Sequence, residues 1–251
     1  MGLRGVEEPG LTKTGALVPI TNHGIPTMSM AYLLPPSKAN GVSEDDFEPT
    51  NEDTPVVWRG LMVQKAVQQL LFQTDWSASE GGKNAGPGLD VLVVDLPPGT
   101  GDIPLTVGQL VDVDSTIIVT TPDILSLSDV RRGVAMFRKL EMPITGLVVN
   151  NSYFICENED CGTKHHLYGH DITSSDGAFS KGVRAMGLGG SKILAELPLV
   201  VDVGKGSERG VPYALSGEAK GGGAGQVWKD AMNSVAERVW GEIVRSNEKD
   251  I

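Results

Sequence analysis

The chain has 251 residues, 40% of them hydrophobic, which is enough to build the core of one α/β domain of ordinary size. Its 32 acidic residues outnumber the 21 lysines and arginines, and the net charge of -11 argues against binding to nucleic acid or anionic lipid. No apolar run approaches the ~20 residues needed to cross a bilayer, and only two cysteines occur, which argues against a disulfide framework and favours a reducing compartment.

Strand and helix patterns alternate along the chain. Strands are predicted at residues 27–34, 89–96, 115–121, 144–150 and 193–199, several of them apolar over consecutive positions as in strands buried on both faces. Helical stripes lie at Leu61, Ala66, Val67, Leu70 and Leu71, at Leu127, Val130, Val134, Phe137 and Leu140, and at Val227, Ala231, Val235, Val239 and Ile243. This alternation predicts an α/β fold with a mostly parallel, doubly wound sheet between two helix layers.

One domain over residues 1–251 is predicted, interrupted by three flexible insertions. These are residues 37–55, which are acidic with glycine and proline, and residues 77–88 and 216–225, which are rich in glycine and serine. Ligands of such sheets bind outside the carboxyl ends of the strands, so the residues that follow each predicted strand are the candidates for a site.

Residues 89–102 have the sequence Leu-Asp-Val-Leu-Val-Val-Asp-Leu-Pro-Pro-Gly-Thr-Gly-Asp, a predicted strand followed by a Pro/Gly loop. Asp95 at the tip of that strand can hold the water shell of Mg²⁺. Gly99 lets a backbone N–H approach a γ-phosphate because it has no Cβ. Asp102 could orient a water molecule or move with the loop. We therefore predict Asp95 and Asp102 as catalytic residues and Gly99 as a nucleotide contact; a strand that ends in a tight turn is the alternative.

The two cysteines, Cys156 and Cys161, are close together in a predicted loop. Thiolates are soft ligands that suit iron-sulfur clusters or zinc. His165 and His166 follow, so a zinc site completed by one of these imidazoles stays open. The remaining alternative is a pair of unpaired loop cysteines beside exposed histidines.

The string from Asp95 to Asp102 resembles the switch II signature of Mrp-type, or ApbC-like, ATPases, which are P-loop proteins related to MinD and ParA that carry iron-sulfur clusters. Other family landmarks follow in order: His-Gly-Ile at 23–25, Met-Ser-Met at 28–30, Val-Trp-Arg-Gly-Leu-Met at 57–62, Thr-Thr-Pro at 120–122, Asp-Val-Arg at 129–131 and Asn-Asn-Ser-Tyr-Phe at 150–154. The resemblance covers nearly the whole chain apart from the insertions. It is closest to the mitochondrial Ind-type, nucleotide-binding-protein-like branch, which assists assembly of respiratory complex I.

This resemblance implies further site residues. Asn150 would hydrogen-bond an adenine base, and Pro198 and Asp202 would lie near that base. Cys156 and Cys161 would hold a [4Fe–4S] cluster shared across a homodimer, with two thiolates from each subunit. Family members carry C-x-x-C at this place, whereas four residues separate the cysteines of this chain, and that departure keeps the zinc alternative open.

The resemblance also implies ATP and Mg²⁺ as cofactors. The P-loop sequence G-K-G-G-x-G-K-[ST], whose amides and lysines hold the phosphates, does not occur in the 251 residues. The first residues resemble the family segment that follows the second strand. We therefore expect that the first βαβ unit and any transit peptide lie upstream in a longer protein, and that this polypeptide alone hydrolyses little or no ATP.

The implied function is an iron-sulfur cluster carrier or scaffold with ATP-linked transfer to apoproteins such as complex I subunits. The mitochondrial matrix is the implied compartment, with the cytoplasm as the alternative. Two other functions stay open: a P-loop-less, non-enzymatic paralogue or partner subunit that binds a cluster or zinc, and a MinD/ParA-like positioning ATPase. The acidic charge and the lack of a basic face over residues 226–245 weigh against the positioning ATPase.

Overall fold

A computed structural model of the protein describes residues 9–33, 60–77, 88–156, 158, 161–169, 172, 174, 176–216 and 223–247. The predicted insertion at 37–55 lies outside the described residues, as do most of 77–88 and residues 217–222. The described residues form two compact units. The first comprises residues 9–33, 60–77, 88–97 and 101–107, and the second comprises residues 98–100 and the described part of 108–247.

The helices and strands follow one another from β1 to α6. In chain order they are β1 (Ile20–Asn22), β2 (Ile25–Thr27), α1 (Gly60–Phe72), α2 (Asp102–Leu110), β3 (Thr116–Thr120), α3 (Ile124–Lys139), β4 (Ile144–Ile155), β5 (Lys164–His166), α4 (Ala178–Ala185), β6 (Ile193–Pro198), α5 (Val201–Arg209) and α6 (Ala224–Asn247). α6 begins at Ala224, so the last two residues of the insertion predicted at 216–225 are helical.

The first unit contains an antiparallel hairpin of β1 and β2 and the helix α1. The strand predicted at 27–34 is wrong over its described part, because β2 ends at Thr27 and a 3-10 turn occupies Met30–Leu33. Ser29 sets that turn: its carbonyl accepts from the Tyr32 amide at 3.1 Å, and its hydroxyl accepts from the Ala31 amide at 3.2 Å. Such local bonds compete with a strand ladder.

The strand predicted at 89–96 is also wrong. No residue from 88 to 97 is in a strand or pairs with another described residue, and four consecutive apolar residues, Val91, Leu92, Val93 and Val94, are exposed. A strand forms only where its N–H and C=O groups meet those of a neighbour, and apolar sequence alone does not supply that neighbour. In α1, Leu61 is 83% exposed, so it does not share the buried face of Ala66 and Val67.

β4 is the central strand of the second unit. It pairs in parallel with β3 along one edge and with β6 along the other, and its last three residues pair with the antiparallel strand β5. Tyr153 pairs with both β5 and β6, so β5 lies on the β3 side of β4. The strands predicted at 115–121, 144–150 and 193–199 are confirmed, and β4 continues five residues further, to Ile155.

Helices cover both faces of this sheet. On one face, α3 and α4 contribute to a cluster with Val134, Leu147, Val149, Phe179 and Val183. On the other face, α6 packs through Val235 against a cluster of Val148, Leu194 and Leu197. Alternate residues of β4 point to opposite faces, which is why Val148 belongs to a different cluster from its neighbours. The α/β architecture with helices on both sides is therefore confirmed.

Candidate functional site

The two cysteines lie at the end of the β4–β5 hairpin. The ladder ends where the Cys156 amide donates to the Thr163 carbonyl at 3.0 Å. The chain then reverses, and the amides of Cys161 and Gly162 donate to the Asn158 carbonyl at 2.9 and 3.2 Å. Gly162 has a φ of 54°, a left-handed conformation that glycine adopts without strain. This turn returns Cys161 to the side of Cys156.

The Cys161 thiol is held by its neighbours. Its sulfur lies 3.2 Å from Thr163 Oγ1, and the Thr163 hydroxyl also donates to the Cys161 carbonyl at 3.2 Å. Hydrogen bonds from the side chain and backbone of Thr163, and then from Cys156 and His165, lower the pKa of Cys161 to about 7. Cys161 is exposed and Cys156 is half-buried. Cys161 therefore ionises more readily than an ordinary thiol, and the thiolate is the form that binds metals.

The two histidines of β5 have different surroundings. Lys164 and His166 both face Tyr153: the Lys164 ammonium lies 4.5 Å from the Tyr153 ring centroid, and the two ring centroids lie 6.3 Å apart. His165 is instead near Cys161, where it helps to lower the pKa of that thiol. Of the two histidines that were candidates to complete a zinc site, only His165 is thus beside the thiols. No group of three or more histidines, cysteines or carboxylates able to hold a metal occurs in the described part of the chain.

Asn150 lies at an irregularity of β4. Val149 pairs with Glu196, whereas Tyr153 pairs with Pro198, so three residues of β4 stand opposite one residue of β6. Asn151 has a φ of 52°, and asparagine is among the side chains that tolerate this left-handed region. Such bulges occur beside binding sites because they re-aim side chains. Asn150 is therefore placed at a bend in the middle of β4, directly after Val149, the last residue of β4 that pairs with β3.

Pro198 and Asp202 lie at the carboxyl end of β6. Pro198 is fully buried as the last residue of the strand, and the next amide, that of Leu199, donates to the Tyr153 carbonyl at 2.7 Å. Asp202 is in the first turn of α5 and pairs with Lys205 at 3.1 Å on the surface. Pro198 and Asp202 thus lie at the carboxyl end of β6, and Asn150 follows the β4 residue that pairs with the last residue of β3. The carboxyl ends of parallel strands form the edge where such sheets bind ligands.

The sequence did not identify a polar cluster next to that bend. The Ser152 hydroxyl is fully buried and donates to Glu196 Oε1 at 2.6 Å. Burial, and then the negative charge of Glu196, raise the pKa of Tyr153 above its ordinary value. Thr163 was missed as well. Its signal in the sequence is a hydroxyl two residues after a cysteine, separated from it by a glycine.

The residues of the predicted switch II are divided between the two units. Asp95 and Asp102 belong to the first unit, and Gly99 belongs to the second. Asp95 is exposed in the unpaired segment, and Asp102 is the first residue of α2. Gly99 has a φ of 91°, and the space where a Cβ would lie is open. Both features allow a ligand to approach the backbone closely.

Comparison with known proteins decides the family. Residues 1–239 match the family model described as "ParA: NUBPL iron-transfer P-loop NTPase". The chain belongs to this family. The Mrp-type resemblance and its NUBPL-type, or Ind-type, branch are thereby confirmed.

Curated members of the NUBPL family align over most of the chain. The iron-sulfur cluster transfer protein NUBPL of Dictyostelium discoideum is 35% identical over 99% of the chain and 64% of its own length. The protein of the same name from mouse is 37% identical over 86% of the chain and 56% of its own length. The Arabidopsis thaliana "Iron-sulfur protein required for NADH dehydrogenase, mitochondrial" is 32% identical over 84% and 55%. The chain thus spans between about half and two thirds of these relatives.

A solved structure confirms the fold. The nucleotide-binding protein of Archaeoglobus fulgidus, described as a complex with ADP, covers 81% of this chain and 64% of its own at 26% identity, with a TM-score of 0.52. Among the described residues of this NUBPL-family chain, no helix is long and apolar enough to cross a bilayer.

Proposed function

We propose that this NUBPL-family protein carries an iron-sulfur cluster on Cys156 and Cys161 and transfers it to apoproteins. The observation that carries the proposal is the hairpin turn that brings the two thiols together, with Cys161 exposed and its pKa lowered to about 7. An accessible thiol with a lowered pKa beside a second thiol suits a cargo that must be both bound and released, because ligand exchange at iron proceeds through free thiolate.

The cluster is proposed to be a [4Fe–4S] cluster shared by a homodimer. Such a cluster takes about four thiolates, and each chain has only two cysteines, so two copies complete the ligand set. The four-residue spacing is compatible with this arrangement because the amides of Cys161 and Gly162 both donate to the Asn158 carbonyl and Cys156 and Cys161 both contact Thr163. His165 is the side chain that would complete the alternative zinc site, so its substitution separates the two metals.

We further propose that nucleotide acts at the carboxyl ends of the strands. Asn150 at the β4 bulge, with Pro198 and Asp202 after β6, fits the surroundings of a base. Gly99, Asp95 and Asp102 have the conformation and residue types for phosphate and Mg²⁺. Asp95 and Asp102 are the catalytic candidates. The Archaeoglobus relative, described as an ADP complex, supports a nucleotide at this fold.

The proposed clients are apo iron-sulfur proteins, including complex I subunits, and the proposed compartment is the mitochondrial matrix. The printed name of the Arabidopsis relative supports both, since it is called mitochondrial and required for NADH dehydrogenase. Bacterial relatives named iron-sulfur cluster carrier protein, such as that of Pseudomonas fragi at 40% identity, support the transfer function and keep the cytoplasm as the alternative compartment.

Anaerobic reconstitution with iron and sulfide tests the proposal. Wild-type protein should gain a broad visible absorption band and then activate an apo [4Fe–4S] enzyme, whereas Cys156→Ser and Cys161→Ser should do neither. His166→Gln is the matched control, because His166 packs on Tyr153, and it should load normally. A bound zinc that is lost in His165→Gln, with no visible band in wild type, would contradict the cluster.

A further inference from the structure

Both cysteines contact Thr163, Cys156 through its backbone amide and Cys161 through its sulfur. The Cys156 amide is fixed to the Thr163 carbonyl at 3.0 Å, and the Cys161 sulfur lies 3.2 Å from Thr163 Oγ1. The Cys156 side chain is near enough to help lower the pKa of the Cys161 thiol. The sequence contains no third cysteine. Any disulfide within one chain is therefore this pair, and the folded hairpin holds both residues against Thr163.

The two thiols differ in access to reagents. Cys161 is exposed beyond the end of the ladder, whereas Cys156 is half-buried where β4 ends. A dissolved reagent therefore meets Cys161 first, and Cys156 is positioned behind it to react second. An accessible thiol beside a second one is the arrangement that redox-active cysteines use.

We propose that, in the cluster-free protein, Cys156 and Cys161 form a reversible intramolecular disulfide by exchange with a low-molecular-weight disulfide. Cys161 thiolate attacks one sulfur of the reagent, a mixed disulfide forms, and one small thiol leaves. Cys156 thiolate then attacks the Cys161 sulfur and expels the second small thiol. Two protein thiols are oxidised, one reagent disulfide is reduced to two thiols, and a dithiol reductant reverses the reaction.

The bond occupies the thiolates that the proposed cluster needs. Oxidation would hold the carrier in an empty state until it is reduced, so loading would depend on the thiol–disulfide balance of the compartment. This consequence rests on the proposed function, whereas the formation of the bond does not. The ring is small, and its closure relies on the turn at Gly162, whose φ of 54° a side chain would strain.

The test uses the metal-free full chain, treated anaerobically with glutathione disulfide, alkylated and weighed intact. Wild type should lose the mass of two hydrogens, resist alkylation at both cysteines and yield a peptide that links Cys156 to Cys161. Cys156→Ser should instead retain one glutathione on Cys161, and Cys161→Ser should react about tenfold more slowly because its remaining thiol is half-buried. Two glutathiones on wild type, a disulfide between chains, or no reaction would overturn the proposal.

A matched pair of glycine variants tests the geometry. Gly162 and Gly169 both have positive φ, 54° and 74°, and open space at the Cβ position. Gly162→Ala strains the turn that returns Cys161 to Cys156, so the ratio of closed disulfide to mixed disulfide should fall about tenfold. Gly169→Ala lies beyond β5 and should leave that ratio unchanged. Equal ratios in the two variants would contradict the role of the turn.

Reconstitution of the oxidised protein separates the disulfide from the function. Protein pretreated with glutathione disulfide should bind less than about a tenth of the iron that reduced protein binds, and dithiothreitol should restore loading. If the disulfide forms but reduced protein takes up no cluster, the proposed function fails alone. If reduced protein loads and no internal disulfide appears, the disulfide proposal fails alone.

Discussion

The cysteine hairpin and the segment at residues 89–102 both begin as apolar runs that lead into loops with candidate ligand residues. The two regions nevertheless fold differently. β4 has a paired neighbour along both edges, and its residues Leu147, Val148 and Val149 are at most 4% exposed. Val93 in the other segment is 85% exposed and lacks a ladder partner among the described residues. A loop in this protein is therefore held in place where the strand before it is paired.

The largest expected effect on the free energy of unfolding comes from disrupting β4, the strand that leads into the cysteine hairpin. A Cβ at Gly146 in β4 would clash with the Lys192 carbonyl oxygen, which is backbone and cannot move aside cheaply. Gly146→Ala should lower the free energy of unfolding by about 3 kcal/mol, measured by urea denaturation. Gly133→Ala in α3 meets open space and should instead raise it by about 0.5–1 kcal/mol. Equal effects would contradict the tight packing of β4 against β6.

A smaller effect is expected at the thiol that the hairpin positions. Thr163→Val removes the hydroxyl that lies 3.2 Å from the Cys161 sulfur, so the pKa of Cys161 should rise from about 7 toward that of an ordinary thiol. Because a higher pKa leaves less thiolate at pH 7, iodoacetamide should label Cys161 about tenfold more slowly there. The difference should shrink as the pH rises above the new pKa.

Thr163→Ser keeps the hydroxyl and serves as the control for that measurement. Its labelling rate at pH 7 should match wild type. A serine variant as slow as the valine variant would mean that the methyl group or the turn, rather than the hydrogen bond, sets the pKa of Cys161.

The smallest effect is expected in the unsupported segment. Val93→Thr should change the free energy of unfolding by less than about 0.5 kcal/mol, because Val93 is already 85% exposed. Val148 lies in β4, is 4% exposed and belongs to the cluster that α6 covers. The same change there should lower the free energy of unfolding by about 1–3 kcal/mol. Urea denaturation measures both. A large cost at Val93 would show that the segment is buried in solution.

The sequence predicted the parts of the fold whose neighbours are close along the chain. β3, α3 and β4 follow one another, so their apolar periods and short connections predict one βαβ unit. The segment at 89–96 has the same apolar character, but its pairing depends on partners that composition does not supply. The prediction that Leu61 lies on the buried face of α1 is wrong for a related reason. A helical stripe predicts which residues share a face but not how far along the helix that face is covered.

The candidate site was predictable by residue type and less so by geometry. Cys156, Cys161 and Asn150 were identified from chemistry and resemblance. The role of Thr163 depends on a turn at Gly162 that the cysteine spacing alone does not predict. His165 and His166 point to opposite faces because β5 is a strand. The bend at Asn151 required the register of β4 against β6.

Native mass spectrometry of the anaerobically reconstituted protein tests the shared cluster most directly. The account predicts one species with the mass of two chains plus a single cluster of about four irons and four sulfides, lost in both Cys156→Ser and Cys161→Ser. A monomer that carries one zinc, or a dimer that keeps its metal after either cysteine is replaced, would contradict it.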